Sequence, residues 1–397
     1  MENLGYREVT TPTRKEFLPF SLPDIGEEEI EEVAQALRSG WITTGPRTKE
    51  FERRIGEYLG ARHTIAVNSC TGALHVALAA IGIGPGDEVI TSPLTFCSTA
   101  NVILHLGATP VLADIGDDYN VDPAEIEKRI TPRTRAILPV HYSGQPCRMD
   151  RILACAREHN LPVVEDAAHA IGARYRDRMI GTLGDVTAFS FYAIKNMTTA
   201  EGGMIATGNE ELAERMRLLT LHGISKDAWK RYTSEGSWYY EVVTPGFKYN
   251  MTDIQAALGL PQLAKLERFL QIRERYVALY NAAFDQMPEI HTPIRNADVR
   301  HAWHLYVIQL DLERLTINRA QFIEALRAEN IGTSVHFIPV HLHPYYRDTF
   351  GFKRGDYPRA EHVYDRILSL PLYPKMIEQD VEDVIAAVKR VVAGHRK

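Results

Sequence analysis

Runs rich in Val, Ile and Thr alternate with helical stretches along the first half of the chain. The runs are TIAVNS (64–69), DEVITS (87–92), TPVLADI (109–115), RAILPVH (135–141), PVVEDAA (162–168), VTAFSFY (186–192) and GGMIATG (202–208). Between most of them lie the helical patterns TGALHVALAAIG, FCSTANVILHLG, DPAEIEKRI and MDRILACAREHN. Strands that alternate with helices in this way predict βαβ units and a mostly parallel sheet covered on both faces. Ahead of them, Gly26–Gly40 reads as a helix, acidic in its first turn and closed by Gly40.

Two stretches break the rhythm. YRDRMIGTLGD (175–185) predicts a hairpin or loop. From Thr252 the pattern turns long and helical, with Pro261 expected to kink or divide it. Beyond about residue 270 a long helix is followed by strand-like WHLYVIQL (303–310), a helix QFIEALRAENIG and strand-like TSVHFIP (333–339). The expected organisation is a large α/β domain over 1–270 and a smaller α+β domain over 271–397.

Composition narrows the class. Across 397 residues, 45% hydrophobic and 24% charged is an ordinary globular balance, and the net charge of −6 argues against nucleic acid as a partner. Cys70, Cys97, Cys147 and Cys155 form no CxxC pair and are too few for a disulfide framework. The first residues lack the apolar core of a signal peptide, and the stretch Ala73–Gly84 is too short to span a bilayer. A cytoplasmic protein with no membrane partner is expected.

Candidate chemistry gathers at strand ends. IGIGPGDE (81–88) is glycine-rich but precedes a strand and has Asp87 where a third glycine would stand, so it reads as a helix end and turn. Asp166 closes a buried strand in VVEDAAHA, and ligands of open α/β sheets bind at the carboxyl ends of strands. Lys195 leaves the apolar run VTAFSFYAI into a polar, glycine-containing loop, where desolvation would make it a nucleophilic amine suited to a Schiff base. Pyridoxal 5′-phosphate (PLP) needs such a lysine for its aldehyde and an acid for its pyridine nitrogen. At AVNSCTGALHVAL a strand meets a helix N-terminus that could bind phosphate, and at TSPLTFCSTAN Phe96 could stack on a flat ring. Each motif also has a plain structural reading: a surface lysine, a helix cap, a core aromatic. HAWH (301–304) and HLH (341–343) have ligand-like spacing without a carboxylate or cysteine nearby, so no metal site is expected.

In this order, these segments resemble the DegT/DnrJ/EryC1/StrS sugar aminotransferases. WITTGP (41–46), HYSGQPCRMD (141–150), LHG (221–223), TPGFKYNMTDIQAALGLPQL (244–263), HAWHLY and SLPLYP (369–374) extend the likeness over nearly the whole chain. The resemblance implies the aspartate-aminotransferase-type fold (fold type I) and PLP cycling through pyridoxamine 5′-phosphate (PMP). It also implies a homodimer with shared active sites. Lys195 would hold the cofactor and Asp166 its ring nitrogen; Phe96 would stack on the ring and His169 lie beside its hydroxyl. Cys70, Thr71, Gly72 and Ser190 would bind the phosphate, with Asn250 reaching it from the neighbouring subunit. Thr44, Gly45 and His336 would line the sugar pocket, WYYEVV (238–243) would border it, and Lys248 or Arg231 would add positive charge.

Among these enzymes the segments come nearest to the branch that makes UDP-4-amino-4-deoxyarabinose. That implies transfer from an amino acid, glutamate, to C4 of a nucleotide-linked keto-sugar. The alternatives are a C3 aminotransferase acting on a dTDP- or GDP-linked sugar, a PLP-dependent sugar dehydratase and a non-enzymatic PLP-binding regulator. Dehydratases of the kind that lack the lysine carry His there, which Lys195 argues against, and no DNA-binding extension is visible for the regulator.

Overall fold

A computed structural model describes residues 12–225 and 239–397. Helices α1 (Glu27–Arg38) and α2 (Pro46–Leu59) precede the alternating region. There follow β1 (His63–Val67), α3 (Cys70–Ala80), β2 (Glu88–Thr91), α4 (Cys97–His105), β3 (Thr109–Leu112), α5 (Pro123–Arg129), β4 (Thr134–Leu138), α6 (Met149–Glu158) and β5 (Val164–Asp166). The stretch 175–185 opens on a hairpin of β6 (Arg174–Tyr175) and β7 (Arg178–Met179). Next come β8 (Val186–Ser190), β9 (Gly203–Thr207) and α7 (Glu210–Thr220). Each expected strand of the alternating region is present, and IGIGPGDE is the turn between α3 and β2, with Gly82 and Gly86 at φ 90° and 91°.

The strands order as β1-β9-β8-β5 and as β4-β2-β3, and parallel bridges Ile137–Val163 and Val140–Asp166 join β4 to β5. Only β9 runs against its neighbours in this seven-stranded array. All other strands therefore end at one edge. Helix α3 is apolar nearly all round and is buried against one face, where Leu74, Val76 and Leu78 meet Val164, Val186 and Ile205. On the other face Phe51, Ile55, Phe189 and Phe191 pack with Leu266 and Leu270. Fully burying one such side chain contributes about 1.5–3 kcal/mol, so two packed faces make the sheet a rigid platform.

Helix α8 (Asp253–Phe284) runs through residues 270 and 271 without interruption and is not divided at Pro261. Proline removes one backbone donor, but the helix around it is clamped: Gly259 lets Phe51 approach to 2.8 Å of where a Cβ would stand, and Gln262 donates to Asp24 O and Glu29. Its C-terminal half packs with β10 (Ile290–His291), β12 (Tyr306–Leu310), α9 (Arg319–Ala328), β13 (Ile367–Leu370) and α12 (Glu378–His395) around Tyr280, Phe284, Phe322 and Val384. The short β11 (Val299–Arg300) pairs with β6. Helices α10 (Pro344–Phe350) and α11 (Pro358–Tyr364) complete this region. TSVHFIP, expected as a strand, is not one. Only Ser334 bridges, to Ser369, and the chain then turns His336 and Phe337 into a cavity of the large sheet.

Candidate active site

The common strand edge opens on a cavity of about 390 Å³. Cys70, Thr71, Phe96, Asp166, His169, Ser190, Lys195 and His336 all line it, though they come from five separate segments of the chain. Gly72 lies one residue deeper in the first turn of α3, and its N–H is taken by the cap of that helix, Ser69 Oγ, at 3.0 Å. The first N–H groups of a helix have no partner within it, which leaves those of Cys70 and Thr71 as the donors facing the cavity. The cradle is tight: a Cβ at Gly203 would stand 2.7 Å from Ser69 C and 2.8 Å from Cys70 N.

Asp166 ends β5 within this edge, only 4% exposed. Its Oδ1 accepts from Ala168 N at 3.1 Å and its Oδ2 from the Thr99 hydroxyl at 2.7 Å. Burial pushes its carboxyl above the usual range, against the pull of Thr99, the Ala168 N–H and Lys195. Burial in turn brings the Lys195 amine down to about 8, partly offset by Cys70 and Asp166. A buried acid short of cationic partners and a softened amine in one hollow are the two electrostatic features that PLP chemistry requires. The N–H cradle of α3 supplies a third, for phosphate.

Histidines form the far wall. His169 Nδ1 accepts from Ser143 N at 3.2 Å, so the neutral ring carries its proton on Nε2. Its ring lies 4.4 Å from that of His304 and stacks on Phe337 at 5.8 Å. Burial drives His169 and His304 well below the usual histidine range, helped by Lys195, and takes His336 to about 4. All three are uncharged near neutral pH. Beneath the site, His141 Nε2 meets Glu165 Oε2 at 2.8 Å, both fully buried.

Sequence reasoning missed Ser69, Thr95, Thr99, Asn196, His304 and Phe337. Ser69 had a signal, as a helix cap ahead of α3. His304 stood in a motif read for metal and for the family likeness but not for the cofactor site; it lines the cavity, and His301 Nδ1 accepts from Trp303 N at 2.8 Å. His341, in the second such motif, is buried and pairs with Glu361 at 2.9 Å.

Thr44, Gly45 and Asn250 do not reach the Lys195 cavity of their own chain. They line a second hollow of about 800 Å³ with Trp41, Lys49 and Val243. There Asn250 Nδ2 donates to Thr44 Oγ1 at 2.7 Å, and Lys248 Nζ donates to Asn250 Oδ1. Gly45 N and Thr48 N donate to the buried Asp253 of α8 at 2.7 and 2.9 Å, tying WITTGP to that helix. Tyr239, Tyr240 and Val242 of the WYYEVV segment are exposed; Trp238 and Arg231 lie outside the described residues. Among the described residues no helix is long and apolar enough to cross a membrane.

Residues 23–389 match the DegT/DnrJ/EryC1/StrS aminotransferase family. The chain is 58% identical over 383 residues to the spore coat polysaccharide biosynthesis protein SpsC of Bacillus subtilis (strain 168), covering 96% of this chain and 98% of SpsC. Streptococcus pneumoniae Spr1654, provisionally named a sugar aminotransferase, superposes in its PLP form with a TM-score of 0.89 at 36% identity, over 95% of this chain and 99% of that one. Its PMP form gives 0.90 at 37% with the same coverage. Helicobacter pylori PseC, an aminotransferase involved in the biosynthesis of pseudoaminic acid, gives 0.88 at 31% identity, over 96% and 100% of the two chains.

Proposed function

Because the chain belongs to the DegT/DnrJ/EryC1/StrS aminotransferase family and is a PLP-dependent sugar aminotransferase, we propose that it moves an amino group from glutamate to C4 of a UDP-linked 4-keto sugar. The observation that carries the chemistry is Lys195, with its amine brought down to about 8, in one cavity with buried Asp166. Bound PLP supplies a carbonyl that takes up the amino group and a ring that accepts electrons.

Lys195 Nζ holds the cofactor and is set free when the amino donor arrives. As a neutral amine Lys195 Nζ would then serve as the base that takes the proton from the donor's α-carbon and as the acid that returns it. With the keto-sugar the same atom runs the transfer in reverse. Asp166 would hold the ring nitrogen, its negative charge keeping a proton there. His169, with its proton on Nε2, would donate to the ring hydroxyl oxygen. Phe96, 57% exposed at the cavity mouth, offers its face to the ring. The Cys70 and Thr71 N–H groups and the Ser190 hydroxyl would hold the phosphate, with Gly72 allowing the close turn.

The assembly we propose is a homodimer with shared sites. Trp41 and Val243 are exposed apolar side chains that line the Asn250 hollow, the kind of surface that marks an interface. Pairing would carry Asn250 to the partner's phosphate site and Thr44 and Gly45 to its sugar pocket, facing His336. Lys248, beside Asn250, adds positive charge for phosphate. SpsC is named for spore coat polysaccharide biosynthesis and PseC for pseudoaminic acid biosynthesis, which supports a sugar acceptor that feeds glycan assembly. A nucleotide-linked substrate and cysteines that form no disulfide fit a cytoplasmic enzyme.

Two measurements test this reading. Glutamate alone should convert the bound PLP spectrum to that of PMP. The PMP enzyme should then be offered UDP-, dTDP- and GDP-linked 3-keto and 4-keto sugars, and kcat/KM compared. Hydroxyl-specific contacts reject a misplaced group by orders of magnitude, whereas an apolar pocket rejects a missing methyl weakly. Sharp C4 over C3 selectivity with looser pentose and hexose selectivity is expected. Preference for a 3-keto sugar would overturn the acceptor while leaving the aminotransferase intact.

A further inference from the structure

We propose that Thr99 is a positioning residue for the cofactor's ring nitrogen: with Thr95 it forms a hydroxyl relay that aims Asp166 and keeps it ionised. The proposal rests on the reading of Asp166 given above. Thr99 sits in the first turn of α4, fully buried, and its Oγ1 stands 2.7 Å from Asp166 Oδ2. An ionised carboxylate can only accept, so the Thr99 proton points at Asp166. Thr95 Oγ1 lies 2.8 Å from Thr99 Oγ1, and with that proton committed, Thr95 must be the donor. The relay therefore runs one way, from Thr95 through Thr99 to Asp166, and each bond polarises the next.

Both carboxylate oxygens are then anchored, Oδ1 by Ala168 N and Oδ2 by Thr99, and each keeps a lone pair for a further donor. In a site where burial works against the charged form, a hydroxyl that donates to Oδ2 favours that form, because its hydrogen bond is stronger to a carboxylate than to a neutral acid. Thr95 and Asp166 line the cavity and Thr99 does not, so Thr99 acts through Asp166 rather than by contact with the ring. This separates it from Phe96 and from the α3 cradle, which meet other parts of the cofactor.

The test compares apo-enzyme affinity for PLP with affinity for its 1-deaza analogue, in which carbon replaces the ring nitrogen. Thr99→Val keeps the shape and removes the hydroxyl. It should weaken PLP binding by ~10–100-fold, the scale of one hydrogen bond to a charged group, and change analogue binding less than about threefold. Thr99→Ser should restore PLP binding to within about fivefold of the parent. Equal losses for both cofactors, or no loss for either, would overturn the relay. If Thr99→Val does not fold, Thr95→Val carries the same comparison, with a smaller loss confined to PLP; no such difference would again overturn it. Asp166→Asn serves as the reference. If the parent prefers PLP over the analogue and Asp166→Asn does not, Asp166 faces the nitrogen, and a failure at Thr99 then counts against the relay alone. If Asp166→Asn keeps the preference, the assignment of Asp166 itself falls.

Discussion

Asn196, the residue after Lys195, is held from both ends of its amide by the segment that carries His304. Its Nδ2 donates to Ala302 O at 2.7 Å, which orients the amide and leaves Oδ1 to accept from His304 Nδ1 at 3.2 Å. His304 is fixed in turn through its own carbonyl, which accepts from the buried Arg273 of α8 at 3.2 Å. The lysine loop and the HAWHLY segment are one mechanical unit, joined across more than a hundred residues of sequence.

Replacing Asn196 by Leu should therefore cost stability and rate together. Leaving His304 Nδ1 and Ala302 O without partners removes about 1–3 kcal/mol. Thermal unfolding and the two half-reactions measured on one preparation check this. An unchanged melting temperature would show that the clasp contributes nothing.

Lys195→Ala should abolish turnover, and borohydride should no longer fix cofactor to the chain. Mass spectrometry of the reduced protein reads the second outcome directly. A variant that transaminates normally would exclude Lys195 as the attachment point.

Asp166→Asn should bind PLP more weakly and, when saturated with excess cofactor, lose ~10²–10⁴-fold in kcat, because a neutral amide cannot hold the pyridinium proton. Single-turnover absorbance with glutamate is the measurement. Rates near those of the parent would contradict the role.

Cofactor capture by the apo-enzyme should depend on pH through the Lys195 amine. Only the neutral amine attacks an aldehyde, and its conjugate acid loses its proton at about 8. The rate should fall about tenfold per unit below that pH and level off above it. Stopped-flow mixing with PLP across pH 6–10 would show the bend, and a rate still rising about tenfold per unit up to pH 10, as for an amine at the ordinary lysine value of 10.5, would mean the amine is not desolvated.

Mixing Lys195→Ala with Asn250→Ala subunits should restore activity if sites are shared, since one site in each mixed dimer then draws both intact residues. Subunit exchange is verified with differently tagged chains. No recovery after proven exchange would separate Asn250 from the partner's site.

Much of this architecture was legible because its signals are local. Strand runs, the capped helices and the apolar approach to Lys195 all show within a dozen residues, and so do Asp166 and the start of α3. What stayed hidden depends on the three-dimensional path. Thr99 is one hydroxyl in an apolar helix, and its partner lies 67 residues away; no periodicity marks it. TSVHFIP has strand composition, but a strand needs a neighbour along its length, and past Ser334 the chain leaves the edge of β13. Pro261 carries a helix-breaking signal that long-range packing on both sides of α8 overrides. Thr44 and Asn250 show a different limit: they line a hollow apart from Lys195, and under the proposed pairing they would serve another subunit, so nothing around them in their own chain marks that role.

Gly203 has a consequence for how this protein can vary. Its Cα faces Ser69 and Cys70 on one side and Phe189 O on the other, each closer than 3 Å to any added Cβ. All of these are backbone atoms in the sheet or at the start of α3, so no rotamer change makes room. A side chain there would lever the start of α3 away from the sheet edge and spread the N–H donors that the cradle needs. In a library randomised at position 203 and selected for clones that stay yellow with bound cofactor, glycine should be the sole survivor, while colourless clones with the same far-ultraviolet circular dichroism would be folded proteins that have lost their grip on phosphate.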